Sequence, residues 1–550
     1  MSTRGVARYE RVNELPVRTQ TVPMVAENAG TIKREGNCVN ESQMSFGEIA
    51  FQVEAENGQG ASAVAGKPRL KPIVREQLLM RTIDVERLVG EDHPVRGIWA
   101  LVCRLDLRRF EESIRAVEGK AGQRTWDPRL LISLWIYAYS EAVNSARELS
   151  RMIENDPGCQ WLTGMERIDY HTLSDFRVEH QKGLEEIFVQ VLGVLSSEGL
   201  IEMKRVMHDG TKIRANASSH TFQKRQRIQE HLEIARQHVK EMGDPRGEEL
   251  SQRVAKARAR AKKERQDRLE AALQELEKLQ ETKQDPRVST ADPEARVMKQ
   301  ADGGFAPSYN VQLTTDAKAS IIVGVSATQA MNDGDELVGA VERFRDRFSK
   351  HPEQIVVDGA YTNRANIEAM HALEVDLIAA VPAKLKTPIG NPQPMLAAEF
   401  QAQRFNYDEA TDCYRCPEGK ILRLWKKKAR RGSIIYIYRA EASECQRCAF
   451  KPLCCPKSKT GRWIVRSEHS IVVRSFLQKM ETEEAKQIYR TRSQVAEFPN
   501  CWIKAKIGLR QFRLRGIRKV QVESVWVSLT YNIQQWLRRC WKPKLVVNPV

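Results

Sequence analysis

The stretch Val206-Met207-His208-Asp209-Gly210-Thr211-Lys212-Ile213 decides the fold of this chain. Apolar residues run into one carboxylate, then Gly and Thr turn the chain, which is typical of a buried strand that ends at an acid. The same pattern returns at Gln354-Ile355-Val356-Val357-Asp358-Gly359-Ala360-Tyr361. Two strand-borne Asp-Gly turns predict a site that includes the carboxylates of Asp209 and Asp358.

Strand and helix patterns alternate around the second Asp-Gly turn. Strands are predicted at 309–313 and 321–325, joined by a turn at Asp316, and a helix at 337–348 follows. After Asp358 come a helix from about Ala365 and a strand at 375–381. This order predicts an α/β fold with a mixed sheet.

The N-terminal part has a different character. Residues 1–70 lack periodicity and predict a mostly disordered extension, with order beginning near Leu78. Asp127 and Pro128 have the pattern of a helix cap and first turn, and the helices predicted from Ala146 and His171 are spaced like a helix-turn-helix array. An ordinary helical bundle fits the same spacing.

A highly charged segment at 223–284 follows the first Asp-Gly turn. Gly243-Asp244-Pro245 divides it into two helices, and on the second of these leucines recur at helical spacing: Leu269, Leu273, Leu276 and Leu279. An antiparallel helical hairpin or short coiled coil fits this pattern. Its cationic face either lies on DNA or is simply solvated.

Composition bounds the class of protein. The chain has 550 residues, 41% hydrophobic content and a net charge of +17, which is typical of a multi-domain globular protein that binds a polyanion such as nucleic acid. The N-terminus has no apolar segment of a secretory signal, and no run approaches a membrane span. We therefore expect a cytoplasmic, nucleoid-associated protein without a membrane partner.

Six of the eleven cysteines fall between Cys413 and Cys455. With no export signal, this clustering favours metal over a disulfide framework. The pairs Cys413/Cys416 and Cys445/Cys448 have the Cys-x2-Cys spacing of a zinc ribbon. Reduced cysteines without metal are the alternative.

A third acid is expected on a C-terminal helix packed beside the sheet, and the candidate is Glu497. Basic residues follow it, among them Lys504, Lys506, Arg510 and Arg513, with Trp502 and Phe512 between them. This pattern indicates a segment that tracks phosphates and stacks on bases. Two divalent metals held by three carboxylates cut a phosphodiester without a covalent intermediate, and Mg²⁺ prefers such oxygen ligands.

The order of these segments resembles bacterial insertion-sequence transposases of the DDE type, in the branch with an InsH-like N-terminal domain. The resemblance runs from about Leu79 to Leu537. It rests on several short motifs: Gly90-Glu91-Asp92-His93-Pro94, His171-Thr172-Leu173-Ser174-Asp175-Phe176-Arg177, the segments starting at Asp209, Asp292 and Tyr309, the turn at Asp358, and Glu497 with its downstream basic stretch.

The resemblance implies a ribonuclease-H-like catalytic core in which Asp209, Asp358 and Glu497 bind Mg²⁺ or Mn²⁺. It also implies a homo-oligomer that binds terminal inverted repeats of double-stranded DNA, cuts there and joins the ends to target DNA. Lys504 would contact DNA near the cut. The family's cysteine pattern selects Cys416, Cys445, Cys448 and Cys454 as ligands of a structural Zn²⁺.

One departure from the family concerns the residues before the third acid. Related chains show Tyr-x2-Arg-x3-Glu, whereas four residues separate Arg492 from Glu497 here. One extra residue turns a helical side chain by about 100°. Tyr489 and Arg492 are therefore left out of the predicted catalytic set, and His208 is predicted to be structural because its side chain points to the other face of the strand.

Seven segments are expected: an extension at 1–70, a helical DNA-binding domain at 75–200, catalytic-core parts at 201–222 and 285–390, a charged helical insertion at 223–284, a cysteine-rich zinc-ribbon-like insertion at 391–465, and C-terminal core helices at 466–541. Two other functions remain open. One is a nuclease on the same core that never joins DNA, and the other is an inactive DNA-binding relic of a transposase.

Overall fold

The structure, a computed structural model, describes residues 82–112, 124–240, 252–281, 284–386, 396–430 and 433–542, together with Met80, Ile114 and Ala116. The predicted extension at 1–70, the expected start of order near Leu78 and the break at Gly243-Asp244-Pro245 lie outside these residues. Among the described helices, none is long and apolar enough to cross a membrane.

Seven helices form the N-terminal part: α1 Pro94–Val102, α2 Arg108–Glu111, α3 Pro128–Ser140, α4 Ala146–Asn155, α5 Pro157–Thr163, α6 Tyr170–Glu179 and α7 Gln181–Ser197. The α3 helix begins where the sequence predicted, because the Asp127 side chain accepts the Arg129 N–H and Pro128 takes the first helical position. The Trp135 indole donates to the Leu173 carbonyl and so ties α3 to α6.

The middle of the chain supplies eight strands: β1 Arg205–Arg214, β2 Phe222–Gln223, β3 Val288–Ser289, β4 Arg296–Lys299, β5 Phe305–Asp316, β6 Ile321–Thr328, β7 Gln354–Val357 and β8 Asp376–Ala379. The helices between them are α8 Arg225–Lys240, α9 Gln252–Gln280, α10 Leu337–Phe348, α11 Arg364–Ala372 and α12 Ala383–Lys386.

Six of these strands form one mixed sheet. Its order is β4-β5-β1-β7-β8, and β6 also pairs with β5. β1 runs antiparallel to β5 and parallel to β7, and β7 runs parallel to β8. The predicted mixed α/β fold is confirmed. β1 lies in the middle of the sheet. It continues through Asp209 and Gly210 to Arg214, paired with β5 along its length, so the prediction that the strand ends and turns at Asp209 is wrong. Only the turn at Asp358 is present, and Asp209 lies within β1 at the level where β7 ends.

The helices α8 and α9 form an antiparallel pair, because Arg225 contacts Glu277 and Gln280 while Arg236 contacts Glu270. Leu269 and Leu276 of the predicted leucine stripe are buried. They pack against α8 residues in a small core of their own. The short β2–β3 ladder closes the base of this pair.

A second sheet, of five antiparallel strands, follows: β9 Asn406–Asp408, β10 Cys413–Arg415, β11 Ile421–Arg430, β12 Ser433–Ala440 and β13 Trp463–Glu468. It is a meander in the order β13-β12-β11-β10-β9, with a separate core that includes Tyr414 and Tyr438. The strand β13 continues to Glu468, so the boundary expected at 465 was placed inside a strand. The reason is that alternation continues through Val465 and Arg466.

Two short helices, α13 Ala442–Gln446 and α14 Lys451–Cys454, lie between β12 and β13. After β13 the described residues add α15 Ile471–Glu481, α16 Glu483–Arg490, α17 Phe498–Ala505 and α18 Ile517–Arg539. A π-helical turn, Ser493–Glu497, separates α16 from α17.

The long helix α18 covers the edge of the mixed sheet. Asn532 accepts the Ile322 N–H and donates to the Ile322 carbonyl, and Gln521 makes the same two kinds of bond with Ala327 and Val325. These amides satisfy the free backbone groups of β6, which is one of the ways in which proteins protect a sheet edge. Val522, Trp526, Leu529 and Ile533 of this helix are buried, and the helix also packs on α3 and α7.

Candidate active site

Asp209 and Asp358 lie on neighbouring parallel strands. His208 of β1 is directly opposite Val357 of β7, and the two aspartates are the next residues along each strand. The Asp358 carboxylate accepts the Ala360 N–H at 2.8 Å, which forms the turn that ends β7. The parallel register therefore brings two carboxylates to the same end of the sheet.

The environment of Asp209 shows that these charges interact. Burial raises the pKa of Asp209 to about 6, the Arg492 guanidinium opposes that rise, and the negative charge of Asp358 adds to it. When two carboxylates lie close together, their charges repel each other, and a nearby cation stabilises the charged form of both. The sheet end thus has the electrostatics of a cation site.

Arg492 provides a positive charge that joins this sheet end to Glu497. One guanidinium nitrogen lies 3.7 Å from an Asp209 carboxylate oxygen, and the other donates to the Glu497 carboxylate at 3.0 Å. The Arg492 side chain is only 14% exposed, whereas that of Glu497 is 56% exposed. Arg492 therefore holds the third predicted acid beside the first.

The π-helical turn explains the one-residue departure in the sequence. In a regular α-helix two residues five apart lie about 140° apart around the axis. A π turn closes its hydrogen bond from i to i+5 and absorbs one extra residue, often at a functional site. Because Ser493–Glu497 is such a turn, Arg492 and Glu497 share a face. The extra residue was visible in the sequence, but the sequence did not show that the helix would widen to accommodate it.

Two further residues from α17 approach Asp209. The Asn500 amide donates to the Asp209 carboxylate at 3.1 Å. Burial lowers the pKa of Lys504, while the charge of Asp209 acts in the opposite direction. Lys504, predicted as a DNA contact, is thus partly buried near the catalytic candidates.

A fourth acid, Asp333, lies behind β1. Its carboxylate accepts from the amides of Asn310 at 2.6 Å and Gln312 at 2.8 Å. A side chain on Gly210 would place its Cβ 2.4 Å from the same carboxylate, so this position requires glycine. Sequence reasoning missed Asp333, and its only signal was the Asp-Gly-Asp run after a strand.

His208 belongs to the same hydrogen-bond network. It is buried between Thr314 and Gln312, at 2.9 Å from each, and Tyr361 also donates to Gln312. Burial lowers the pKa of His208 to about 4, so the ring is neutral near pH 7. This position agrees with the structural role expected from strand alternation.

The residues of the predicted DNA-binding segment differ in their exposure to solvent. Lys506 and Arg510 are exposed, and Arg513 is exposed but donates to Asn144 at 2.8 Å. The prediction of Phe512 as a base-stacking group is wrong, because its ring is fully buried beside Tyr309. Trp502 is also unsuited to stacking, since its ring is only partly exposed and packs against Phe498 and Tyr531.

Among the described residues, no three His, Cys, Asp or Glu side chains lie close enough together to hold a metal ion. Of the three predicted acids, Asp209 and Glu497 are both ion-paired with Arg492, whose guanidinium lies between their carboxylates. The donors fit hard divalent cations in kind, because all three are carboxylates and two lie side by side, Asp209 within β1 and Asp358 just after β7.

Five cysteines line one small cavity of the second sheet, namely Cys416, Cys445, Cys448, Cys454 and Cys455. The Cys416 sulfur accepts the Lys420 N–H at 3.2 Å, and the Cys445 sulfur accepts the Arg462 N–H at 3.3 Å. Cys413 lies apart, where its sulfur is 2.9 Å from the Thr411 hydroxyl. The cavity therefore contains the four cysteines that the family pattern selects, and it excludes Cys413.

Two parts of the chain match protein-family models. Residues 83–179 match a family described as "Transposase domain (DUF772)", and residues 415–537, which include Glu497, match "Transposase DDE domain". Together the two matches, which cover less than half of the chain, indicate an insertion-sequence transposase of the DDE type. Asp209 and Asp358 lie outside both matched segments.

Other comparisons add less. No curated protein matched the chain. Among solved structures, a cryo-EM structure of the piggyBac transposase synaptic complex with hairpin DNA matched with 7% identity and a TM-score of 0.27, over 82% of this chain and 76% of that one. A similarity at that level carries no weight for fold or function.

Proposed function

We propose that this transposase binds the terminal inverted repeats of its element, cuts phosphodiester bonds there and joins the freed 3′-hydroxyl to target DNA. The observation that carries the proposal is that Asp358 lies beside Asp209 in the mixed sheet while Arg492 links Asp209 to Glu497. The strand order β6-β5-β1-β7-β8, with its first three strands antiparallel and its last three parallel, supports a ribonuclease-H-like core.

The three carboxylates would hold Mg²⁺ or Mn²⁺. Two such ions, when bound, activate a water and stabilise the leaving oxygen in phosphodiester hydrolysis. The protein's part is to hold Asp209 within β1 beside Asp358, which follows the end of β7, and to keep Glu497 bound to Arg492. Asn500 fixes the orientation of the Asp209 carboxylate.

The DNA itself would meet the basic residues around this sheet end. Lys504 lies close enough to Asp209 for their charges to interact, so it is placed to contact a phosphate near the cut. Lys506 and Arg510 are exposed just beyond the end of α17 and would bind the flanking DNA backbone, together with Arg513. Such contacts bind phosphate without reading sequence, so recognition of the repeats is assigned to the helical domain at residues 75–200.

We propose that the cysteine cavity binds one structural Zn²⁺. Four thiolates fill its coordination, which leaves no open position for catalysis. Cys416, Cys445, Cys448 and Cys454 are the proposed ligands, with Cys455 beside them in the same cavity. The backbone N–H groups directed at two of these sulfurs would stabilise thiolates.

The test uses linear DNA that carries the gene's own flanking segments, incubated with the protein and Mg²⁺. We expect cuts at a defined position in wild type and, after addition of a supercoiled target plasmid, joining of the cut 3′-ends to it. Asp209→Asn is the matched control, because it preserves shape and removes one charge. Cutting without joining would identify a nuclease instead, and binding without any metal-dependent cut would identify an inactive relic.

A further inference from the structure

One face of the second sheet combines exposed tryptophans with cations. Arg423, Arg439 and Trp463 are directly opposite one another on β11, β12 and β13, so their side chains share a face. A bulge between Leu424 and Lys426 leaves Trp425 unpaired, and the Arg439 guanidinium lies over its ring at 5.1 Å. After the bulge, Lys426 pairs with Ile437 and Lys428 pairs with Ile435 on this face. We name this surface the Trp425 face; its members are Arg423, Trp425, Lys426, Lys428, Arg439 and Trp463.

The Trp425 face is not the core of the sheet. Alternation sends Tyr438 and Ile464 to the opposite face, where both are buried in the core of this unit. Trp425 is 58% exposed and Trp463 is 51% exposed. Large aromatic rings seldom remain this exposed without a partner, and two of them on one sheet face mark an interaction site.

The charge around the Trp425 face indicates the kind of partner. Residues 396–468 contain sixteen Lys and Arg against eight Asp and Glu. Lys426, Lys428 and Arg423 are exposed on the face itself. A surface with this balance attracts a polyanion and disfavours an ordinary protein partner, because interface centres are generally depleted of charged residues.

We infer that the Trp425 face binds single-stranded DNA, with bases stacked on Trp425 and Trp463 and phosphates contacted by the surrounding Lys and Arg. Exposed aromatic rings within a basic groove are the features with which proteins bind unpaired strands. In a duplex the base faces are already stacked on one another, so only the phosphates would remain to be contacted. Arg439 supports this arrangement, because its contact with Trp425 already holds that ring in place.

This inference rests on the proposed function only for the origin of the strand. A transposase that opens or cuts an element end would create unpaired DNA near the site, and the cysteine-rich unit follows β8 of the catalytic sheet in the chain. Strand binding by the Trp425 face is a property of that unit and does not require Asp209, Asp358 or Glu497.

The experiment measures the affinity of the full-length protein for a fluorescent oligothymidylate of about 16 nucleotides, the upper end of typical single-strand site sizes. The same measurement is made on a blunt duplex that carries the gene's flanking segment. Trp425→Ala and Trp463→Ala should each weaken oligothymidylate binding about tenfold, and Trp425→Phe should restore most of it because Phe still stacks. Duplex binding should change by less than twofold.

Two controls separate the Trp425 face from general effects. Phe305→Ala removes another exposed aromatic ring, from β5, and should leave oligothymidylate binding unchanged. Lys457→Ala removes an exposed cation of the same unit away from the Trp425 face and should have a smaller effect than Lys426→Ala. Circular dichroism and thermal unfolding of each variant should match wild type.

The outcomes distinguish this inference from the proposed function. Equal oligothymidylate binding by wild type and both Trp→Ala variants would overturn the role of the Trp425 face, as would a wild type that binds no single strand. Metal-dependent cutting of the flanking DNA is measured separately. If cutting is absent, the proposed function is overturned. Selective loss of oligothymidylate binding in the Trp→Ala variants would still support the inference in that case.

Discussion

The two sheets of this protein use similar residue types for opposite purposes. In the mixed sheet, Arg492 and Asp209 are largely buried, and the charge of each is balanced by a defined partner. In the five-stranded sheet, Arg439 and Lys426 are placed over an exposed tryptophan and remain available to a ligand. The burial of the charged side chains, more than the residue types present, therefore distinguishes the candidate active site from the Trp425 face.

The largest expected effect follows from removing a charge at the buried site. Asp358→Asn should reduce metal-dependent cutting by about 10⁴-fold, the scale seen when a member of a catalytic set is removed. Binding of the flanking duplex should stay within twofold of wild type, because the phosphate-binding residues are untouched. Gel-based cleavage kinetics and fluorescence anisotropy make the two measurements. If cutting falls by only a few-fold, Asp358 is not a metal ligand.

The π-helical turn provides the next test. Deleting the exposed Gln494 would leave Arg492 and Glu497 four residues apart, which an ordinary α-helix also places on one face. We expect the deletion variant to keep cutting within about tenfold of wild type, because 40° of rotation separates such residues. Inserting one alanine at the same place should reduce cutting by about 100-fold or more. Equal loss in both variants would show that the π turn itself is required.

The cysteine cavity tests whether the second sheet depends on a metal. Wild type should contain about one zinc per chain by elemental analysis, and Cys445→Ser should lose it and become sensitive to proteolysis within residues 396–468. Structural zinc sites supply much of the folding free energy of small domains, which is why the loss should be local and large. Cys413→Ser is the matched control and should keep its zinc. Zinc-free wild type with a protease-resistant unit would contradict this assignment.

The raised pKa of Asp209 makes a prediction with a defined sign. Its pKa of about 6 in the folded chain exceeds the ordinary 3.8, so the folded state binds the proton more tightly. Without metal, the stability that Asp209 contributes is therefore present below about pH 4 and is lost as the pH rises through about 6, on the order of 3 kcal/mol. Thermal unfolding in a chelator from pH 4 to 8 should show this loss in wild type and not in Asp209→Asn. A parallel pH dependence in the two proteins would refute the raised pKa.

The smallest expected effect concerns a single cation of the docking surface. Lys426→Ala should reduce the slope of log affinity against log salt for oligothymidylate by about 0.7, the value for one phosphate contact on a single strand. Affinity at physiological salt should fall only a few-fold. An unchanged slope would mean that Lys426 does not contact the strand. Oligothymidylate binding by the Trp425 face would then depend on Trp425 and Trp463 and not on this cation.

Much of this architecture could be predicted from the sequence because local chemistry dictates it. Asp127 and Pro128 start α3 as a cap and first turn, and apolar periodicity gave the α10 helix, Leu337–Phe348. The placement of Asp209 beside Asp358 also followed from the parallel pairing of their strands, although β1 continues past Asp209 instead of turning there.

Other features depended on contacts between distant segments. Phe512 has the pattern of a stacking residue, but it is buried beside Tyr309, about two hundred residues earlier. Asp333 reaches the site only because β5 presents two amides to it. Arg492 was left out of the predicted catalytic set because a regular α-helix was assumed. The helix instead widens into a π turn at Ser493–Glu497, which brings Glu497 to Arg492. The nearby sequence shows only the Asp-Gly-Asp run at Asp333 and the extra residue before Glu497, and neither of them reveals the contact that results.

The central claim is that Asp209 binds a divalent metal that is needed for cutting, and a change of metal tests it most directly. Asp209→Cys replaces an oxygen ligand with sulfur, which Mg²⁺ binds poorly and softer ions such as Mn²⁺ bind better. The account predicts that this variant does not cut the flanking DNA in Mg²⁺ and regains cutting in Mn²⁺, while Asp209→Asn stays inactive in both. Undiminished cutting by Asp209→Cys in Mg²⁺, or cutting by wild type in the presence of a chelator, would contradict the claim.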